Sequence, residues 1–103
     1  MRYPAFTALL LLALSGVPAL AADHVVEIRK MAFQPATLQV ASGDTVTFVN
    51  RDRAPHTATS DDGTFDTGQI ANGKAARITI GQGGVFGYHC AIHPMMQGRI
   101  QAQ

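Results

Sequence analysis

Apolar and polar side chains alternate along several short stretches of this 103-residue chain. Val26 and Ile28, for example, are separated by Glu27 and followed by Arg29. The same alternation occurs at Leu38 and Val40, at Val46 and Phe48, and at Ile78 and Ile80. A period of two is that of a half-buried β-strand, because successive side chains of a strand point to opposite faces. The pattern therefore predicts short strands and gives no convincing helix.

Turn-forming sequences separate these stretches. They combine Gly with Asp, Asn or Ser, which favour tight turns, and they occur at Ser42-Gly43-Asp44, Asp61-Asp62-Gly63, Asn72-Gly73 and Gly81-Gln82-Gly83-Gly84. Short strands joined by such turns are typical of an antiparallel sandwich or barrel around one apolar core. We therefore predict an all-β, antiparallel, single-domain fold.

The first 22 residues have the organisation of a secretory signal peptide. Arg2 provides a positive start, Phe6–Leu14 is apolar, and Ala19-Leu20-Ala21 offers a small-x-small cleavage pattern. The sequence leaves both cleavage after Ala21 and cleavage after Ala22 open. We expect residues 1–22 to be removed on export to the periplasm.

Residues 23–103 are then expected to form one small domain. The apolar part of the signal is interrupted by Ser15, Gly16 and Pro18, whereas a spanning helix needs about 20 apolar residues, so we expect no membrane span after processing. The chain carries eight Lys and Arg against seven Asp and Glu, and loss of Arg2 leaves the two signs equal. No basic field attracts nucleic acid, and the simplest expected state is a monomer.

Cys90 is the single cysteine of the chain. Small exported domains usually compensate for a thin core with pairs of disulfides, which one cysteine cannot form. An unpaired thiol in an oxidising compartment is a liability unless it is buried or occupied, and metal ligation achieves both. The lone thiol therefore indicates a metal site.

The residues around this thiol indicate copper. Cys90 lies in the run Tyr88-His89-Cys90-Ala91-Ile92-His93-Pro94-Met95-Met96. Thiolate and thioether are soft ligands, and a Cys with two His and a weak axial Met is the ligand set of a blue copper site. The run supplies three of these four ligands, and we expect His56, far upstream, to supply the second imidazole.

Strand alternation separates the histidines near Cys90. On a strand ending at Cys90, Tyr88 shares the face of the thiol while His89 points to the opposite face. We therefore expect His89, like His24 near the mature N-terminus, to be a surface imidazole. His93 follows the end of the strand, where a turn can bring it back towards the thiolate.

Two adjacent methionines, Met95 and Met96, lie in this turn, and the turn alone does not decide which of them supplies the thioether ligand. Pro94 restricts its own backbone and that of His93, so the turn has little freedom. Either Met95 or Met96 can reach a metal from such a turn. Adjacent methionines are also common core filler, although an irregular turn is a poor place for a core pair.

These motifs resemble the cupredoxins, and within them the amicyanin and small plastocyanin-like group of bacterial blue copper proteins. The resemblance covers essentially the whole mature chain and rests on Ser42-Gly43-Asp44-Thr45-Val46, Asn50, Pro55-His56-Thr57, Gly63-Thr64-Phe65-Asp66 and the run from Tyr88 to Gly98. It implies a Greek-key β-sandwich with one copper ion per chain in a type 1 site. It also implies that His56, Cys90 and His93 are the strong equatorial ligands and that Met96 is the weak axial ligand.

Two residues depart from the amicyanin pattern. Ala91 replaces a hydroxyl residue that in relatives often bonds to the Asn corresponding to Asn50, and Ile92 stands where amicyanin has a proline. The resemblance thus implies a weakened tie between the two ligand loops. It also implies that the backbone of Asn50 can donate to the sulfur of Cys90.

The expected function is electron transfer without catalysis. Four protein ligands leave no open coordination position of the kind that a catalytic metal keeps. We expect docking to redox proteins, such as a c-type cytochrome and a dehydrogenase or oxidase, through an apolar patch around His93 formed by Ala54, Pro55, Ile92, Pro94 and Met95. The alternatives are a periplasmic copper-binding or trafficking protein without an electron-transfer role, and a structural zinc site.

Overall fold

The computed structural model describes residues 20–103, and this part of the chain is built from strands without a helix. The strands are β1 (Asp23–Arg29), β2 (Ala32–Gln34), β3 (Thr37–Val40), β4 (Thr45–Asn50), β5 (Thr59–Ser60), β6 (Ala75–Thr79), β7 (Gly84–His89) and β8 (Gln97–Ala102). Within residues 20–103, no helix is long and apolar enough to cross a membrane. The all-β prediction is confirmed, whereas most of the expected signal peptide, residues 1–19, lies outside the described residues.

The strands form two four-stranded sheets that pack as a sandwich. One sheet has the order β2-β1-β4-β6 and the other has the order β3-β8-β7-β5. The predicted antiparallel pairing holds for β1·β2, β4·β6, β5·β7 and β7·β8. It needs correction for β1·β4 and β3·β8, which are parallel. Alternation could not reveal this difference, because a strand keeps its period of two whichever way its neighbour runs.

The alternating apolar residues line the space between the sheets. Val26, Ile28, Val46, Phe48 and Ile100 are all fully buried. The intervening residues of these strands are half-buried or exposed. Because each strand presents one apolar face inward, the two sheets share a single core.

Tyr88 lies at the centre of an aromatic cluster in this core. Its ring centroid is 4.7 Å from that of Phe33, 5.4 Å from that of Phe48 and 6.0 Å from that of Phe65. Two of these pairs are edge-to-face, the arrangement that aromatic rings prefer. Tyr88 also lies opposite Gly98 in the β7·β8 register, where a β-carbon at position 98 would collide with the phenol ring.

Burial leaves the hydroxyl of Tyr88 in an unfavourable environment. Among residues 20–103, it is the buried side-chain polar atom that lacks a hydrogen-bond partner. Burial also raises the pKa of Tyr88 far above its ordinary value, because the charged phenolate is disfavoured away from water. The ring contributes to packing, and the oxygen costs stability.

We predict that Tyr88→Phe stabilises the protein. The substitution keeps the aromatic cluster and removes an unsatisfied buried hydroxyl, so the free energy of unfolding should rise by about 1 kcal/mol. Urea unfolding of the metal-free protein measures this change. A clear loss of stability would show instead that the hydroxyl has a partner in solution.

The ends of several strands meet at one end of the sandwich. β4 ends at Asn50 and β7 ends at His89. The segment between β4 and β5 carries His56, and the connection between β7 and β8 carries the run from Cys90 to Met96. The fold therefore brings two distant parts of the sequence to the same end of the sandwich.

Candidate metal centre

The side chains of His56, Cys90 and His93 converge at this end of the sandwich. The Nδ1 atoms of His56 and His93 each lie 3.7 Å from the Sγ atom of Cys90, and the three ligand atoms all lie within 4.8 Å of one another. His56 and Cys90 are fully buried, whereas His93 is partly exposed. One cysteine sulfur and two imidazole nitrogens thus lie close together.

The turn from Cys90 to Met96 is closed by its own backbone. The N–H of Met96 donates to the carbonyl of His93 at 2.9 Å, and the N–H of Cys90 donates to the carbonyl of Met96 at 3.1 Å. These bonds turn Met96 inward, where it is 3% exposed, while Met95 is 78% exposed. Of the two methionines, Met96 is therefore the one available to a buried metal.

The backbone and the ring of His56 are both held in place. Its backbone exchanges two hydrogen bonds with Ile70, at 3.2 and 2.7 Å. On the ring, Nε2 lies 2.9 Å from Oδ2 of Asp52. A proton on Nε2 donates to that carboxylate, which leaves the lone pair of Nδ1 directed towards the thiol. Such carboxylate contacts orient metal-binding histidines and increase their basicity.

Asp52 joins the His56 ring to the turn between β1 and β2. Its carboxylate accepts hydrogen bonds from the backbone N–H groups of Lys30 and Met31, at 2.8 and 2.9 Å. These two residues have φ values of 54° and 60°, in the left-handed region that favours glycine. Desolvation raises the pKa of Asp52, but the N–H groups of Met31 and Lys30 and the His56 ring outweigh it and lower the pKa overall. Asp52 thus stabilises a strained turn and a buried imidazole together.

The donor to the Cys90 sulfur is Thr57, so the implied role of Asn50 is wrong. The backbone N–H of Thr57 lies 3.3 Å from Sγ, whereas that of Asn50 donates to the carbonyl of Lys74. The side-chain amide of Asn50 donates instead to the carbonyls of Ala54 and Ile70, both at 2.8 Å. Asn50 shapes the loop before His56 and does not touch the thiol.

Thr57 also links the two ligand loops, a contact that Ala91 was expected to weaken. Its hydroxyl accepts a hydrogen bond from the backbone N–H of Ala91 at 2.8 Å. The same hydroxyl lies 2.9 Å from that of Thr59, which donates to Asp66 at 3.0 Å. The sequence includes Thr57 in the Pro55-His56-Thr57 motif, but no role was expected for it, although a hydroxyl residue directly after His56 was a visible signal.

The two remaining histidines lie apart from the three donors. His89 points to the outer face of β7, where its Nδ1 lies 2.7 Å from the carboxylate of Asp61. His24 lies on β1 and contacts Asp44 at 2.8 Å. Neither belongs to the cluster formed by His56, Cys90 and His93, as strand alternation predicted for His89.

The chemistry of the donor set fits a copper ion. A thiolate and two imidazoles with a nearby thioether favour copper among the common biological metals, since a thioether is a soft ligand. Zinc shares the first three donors but gains little from a buried Met96. The burial of Cys90 and His56 excludes water from most of the site.

Comparison with known proteins agrees with this geometry. The family model of the cupredoxin-like domain matches residues 4–102. This chain is a cupredoxin. It is 33% identical over 81 residues to amicyanin from Paracoccus denitrificans, and this match covers 74% of the chain and 62% of that relative. Amicyanin from Paracoccus versutus is 31% identical over 81 residues, with 74% and 61% covered. The matched region therefore spans about three fifths of the length of these curated relatives.

Solved structures also resemble this cupredoxin. An oxidised amicyanin variant superposes with a TM-score of 0.74 at 31% identity, covering 79% of this chain and 82% of that chain. A copper-containing nitrite reductase from Thermus scotoductus has the same TM-score and identity, covering 85% of this chain but 24% of its own. The match thus covers most of the amicyanin chain but about a quarter of the nitrite reductase chain.

We predict that Thr57→Val destabilises this cupredoxin and that Thr57→Ser does not. Valine keeps the backbone bond to the sulfur but removes the acceptor for Ala91, which should cost about 1 kcal/mol in the free energy of unfolding. Serine keeps the hydroxyl. Urea unfolding of both metal-free variants measures the effect, and a loss in Thr57→Ser without a loss in Thr57→Val would assign the stabilisation to packing of the methyl group.

Proposed function

We propose that this protein is a type 1 blue copper electron-transfer protein that shuttles one electron between redox partners. The observation that carries the proposal is the convergence of one thiol and two imidazole nitrogens within 4.8 Å. A bound copper ion supplies a one-electron couple between Cu(I) and Cu(II). Each chain would hold one such ion.

In this proposal, His56, Cys90 and His93 would hold the copper ion strongly and Met96 would hold it weakly. The donor types support these roles, because thiolate and imidazole bind copper tightly at such sites while a thioether binds it weakly. The burial of Met96 and the exposure of Met95 support the choice between the two methionines.

The surrounding residues keep the site rigid during a change of charge. Thr57 donates an N–H to the Cys90 sulfur at 3.3 Å and joins the two ligand loops. Asp52 fixes the His56 ring. Because the donors are already held in place, little atomic movement accompanies the arrival or loss of an electron. With four protein ligands, no position remains for a substrate, and we propose a carrier and not an enzyme.

Electrons would pass through His93, the ligand that reaches the surface. Around it, Met95 is 78% exposed and Ile92 is 38% exposed. We propose that these residues form a small apolar patch with Ala54, Pro55 and Pro94, which we call the His93 patch. Weak and rapid encounters between redox proteins use small interfaces of this kind. The partners would be redox proteins, such as a c-type cytochrome and a dehydrogenase or oxidase, and the carrier would act as a monomer.

We further propose that the protein works in the periplasm after removal of its N-terminal signal. The charge of Arg2 and the apolar stretch Phe6–Leu14 support this location. The position of Leu20, which is 92% exposed and lies just before β1, is compatible with a segment that the folded domain does not need.

The visible spectrum of the copper-loaded protein tests the proposed function. We predict an intense blue colour on addition of Cu(II), reversibly bleached by ascorbate, since a copper-thiolate site of this type cycles between two oxidation states. Cys90→Ser should abolish the colour, and Met95→Leu is the matched control that should keep it. A colourless or non-cycling complex would favour copper storage or a zinc site and would overturn the electron-transfer function.

The His93 patch can be tested without knowing the physiological partner. Electron self-exchange between an oxidised and a reduced copy brings two such patches together, so Met95→Lys should slow it by about tenfold through repulsion of like charges. Proton NMR line broadening of mixed-oxidation samples measures this rate. The control is Val85→Lys, which adds the same charge at an apolar residue that is 65% exposed on β7. Equal rates in the two variants would contradict the patch.

A further inference from the structure

Ala22, which precedes the first strand, is hydrogen-bonded to the folded domain. Its N–H lies 2.9 Å from Oδ1 of Asp44, and its carbonyl accepts a hydrogen bond from the N–H of Thr45 at 3.0 Å. Both backbone groups of Ala22 are therefore used by the fold. Leu20, two residues earlier, is 92% exposed.

The acceptor of the Ala22 N–H is a buried carboxylate. Asp44 is 5% exposed, and its second oxygen accepts from the ring of His24 at 2.8 Å and from the N–H of Ala41 at 2.9 Å. These contacts, with that of Ala22 first, lower the pKa of Asp44 to about 2. Asp44 thus remains a carboxylate at neutral pH and faces the start of the chain.

The sequence places a small-x-small pattern directly before Ala22. In Ala19-Leu20-Ala21, the two alanines occupy the positions that signal peptidases require to be small. Cleavage one residue later would place Leu20 at the first of these positions. It would also remove both the donor to Asp44 and the carbonyl that Thr45 uses.

We propose that export processing cuts the bond between Ala21 and Ala22, and that the new α-ammonium group of Ala22 forms an ion pair with the buried carboxylate of Asp44. A membrane signal peptidase hydrolyses this bond with one water molecule. The hydroxyl of the water joins the carbonyl carbon of Ala21, its hydrogen joins the nitrogen of Ala22, and the amine takes up a further proton at neutral pH. The mature chain then begins at Ala22, one residue before the boundary expected from the sequence.

The charges around the new terminus determine how the ion pair depends on pH. Asp44 faces it directly through Oδ1, and the ring of His24 contacts the other oxygen of the same carboxylate. The carboxylate of Asp23 is engaged by the hydroxyls of Thr45 and Thr47 and lies 3.6 Å from Arg77. A carboxylate at hydrogen-bond distance favours the charged amine and so raises its pKa above the ordinary value of about 7.7 to 8.0. The stabilisation is therefore complete below that value and is lost as the pH rises through the raised pKa.

The mass of the exported protein tests the position of cleavage, which rests on the proposed export. The full chain is produced with its own leader in a Gram-negative host, and the intact mass of the periplasmic product is measured. A mass for residues 22–103 supports the inference, whereas a periplasmic product that begins at Asp23 or elsewhere overturns it. An uncleaved product confined to the cytoplasm would instead contradict the export proposal.

The ion pair is tested with two chains that differ by one residue. In a chain that begins at Ala21, the N–H of Ala22 still reaches Asp44 but carries no charge. The chain that begins at Ala22 should unfold at a higher temperature at pH 6, and this advantage should disappear above the raised pKa. It should also disappear when both chains carry Asp44→Asn. Equal melting temperatures at pH 6 in the two natural-sequence chains would overturn the ion pair, and this outcome does not depend on whether Asp44→Asn folds.

Discussion

The two hydrogen bonds of Thr57 hold the metal centre together across the sandwich. Its N–H donates to the Cys90 sulfur and its hydroxyl accepts from Ala91. One residue thereby fixes the segment that follows β4 against the segment that follows β7. His56 precedes Thr57 directly, so its backbone is placed at this junction. The convergence of the three donors depends on the contact that Thr57 makes between the two segments.

The two imidazoles of the site occupy different environments. His56 is fully buried, bonded through its backbone to Ile70 and through its ring to Asp52. His93 is partly exposed in a turn closed by Met96. The doubly anchored imidazole of His56 is fixed in place, whereas the imidazole of His93 is accessible from the surface. One histidine of the centre, His56, is thus held rigidly, and the other, His93, is accessible.

Much of this arrangement follows from residue identity. Alternation predicted the buried faces of β1 and β4 because side chains decide which side of a strand meets the core, and it separated His89 from Cys90 for the same reason. The lone thiol, a neighbouring imidazole and a thioether indicated copper through their chemistry alone. The choice of Met96 needed the spacing of known relatives, and its burial agrees with that choice.

Other features could not be predicted, because backbone groups carry them. The parallel pairs β1·β4 and β3·β8 leave the side-chain pattern unchanged. Every residue except proline has a backbone N–H, so the residue type of Thr57 does not identify it as the donor to the Cys90 sulfur. The contact of Asp52 with Lys30 and Met31 depends on an unusual backbone shape in a turn that lacks glycine.

The order of the donors along the chain determines when a metal can enter. His56 lies near the middle, but Cys90, His93 and Met96 come within the last 14 residues, and β8 must then pair with both β3 and β7. The centre is therefore incomplete in a partly folded chain until β8 pairs with β3 and β7. During that interval the thiol lacks its cover and is open to oxidation. The docking of β8 therefore completes the donor set and covers the thiol in the same step.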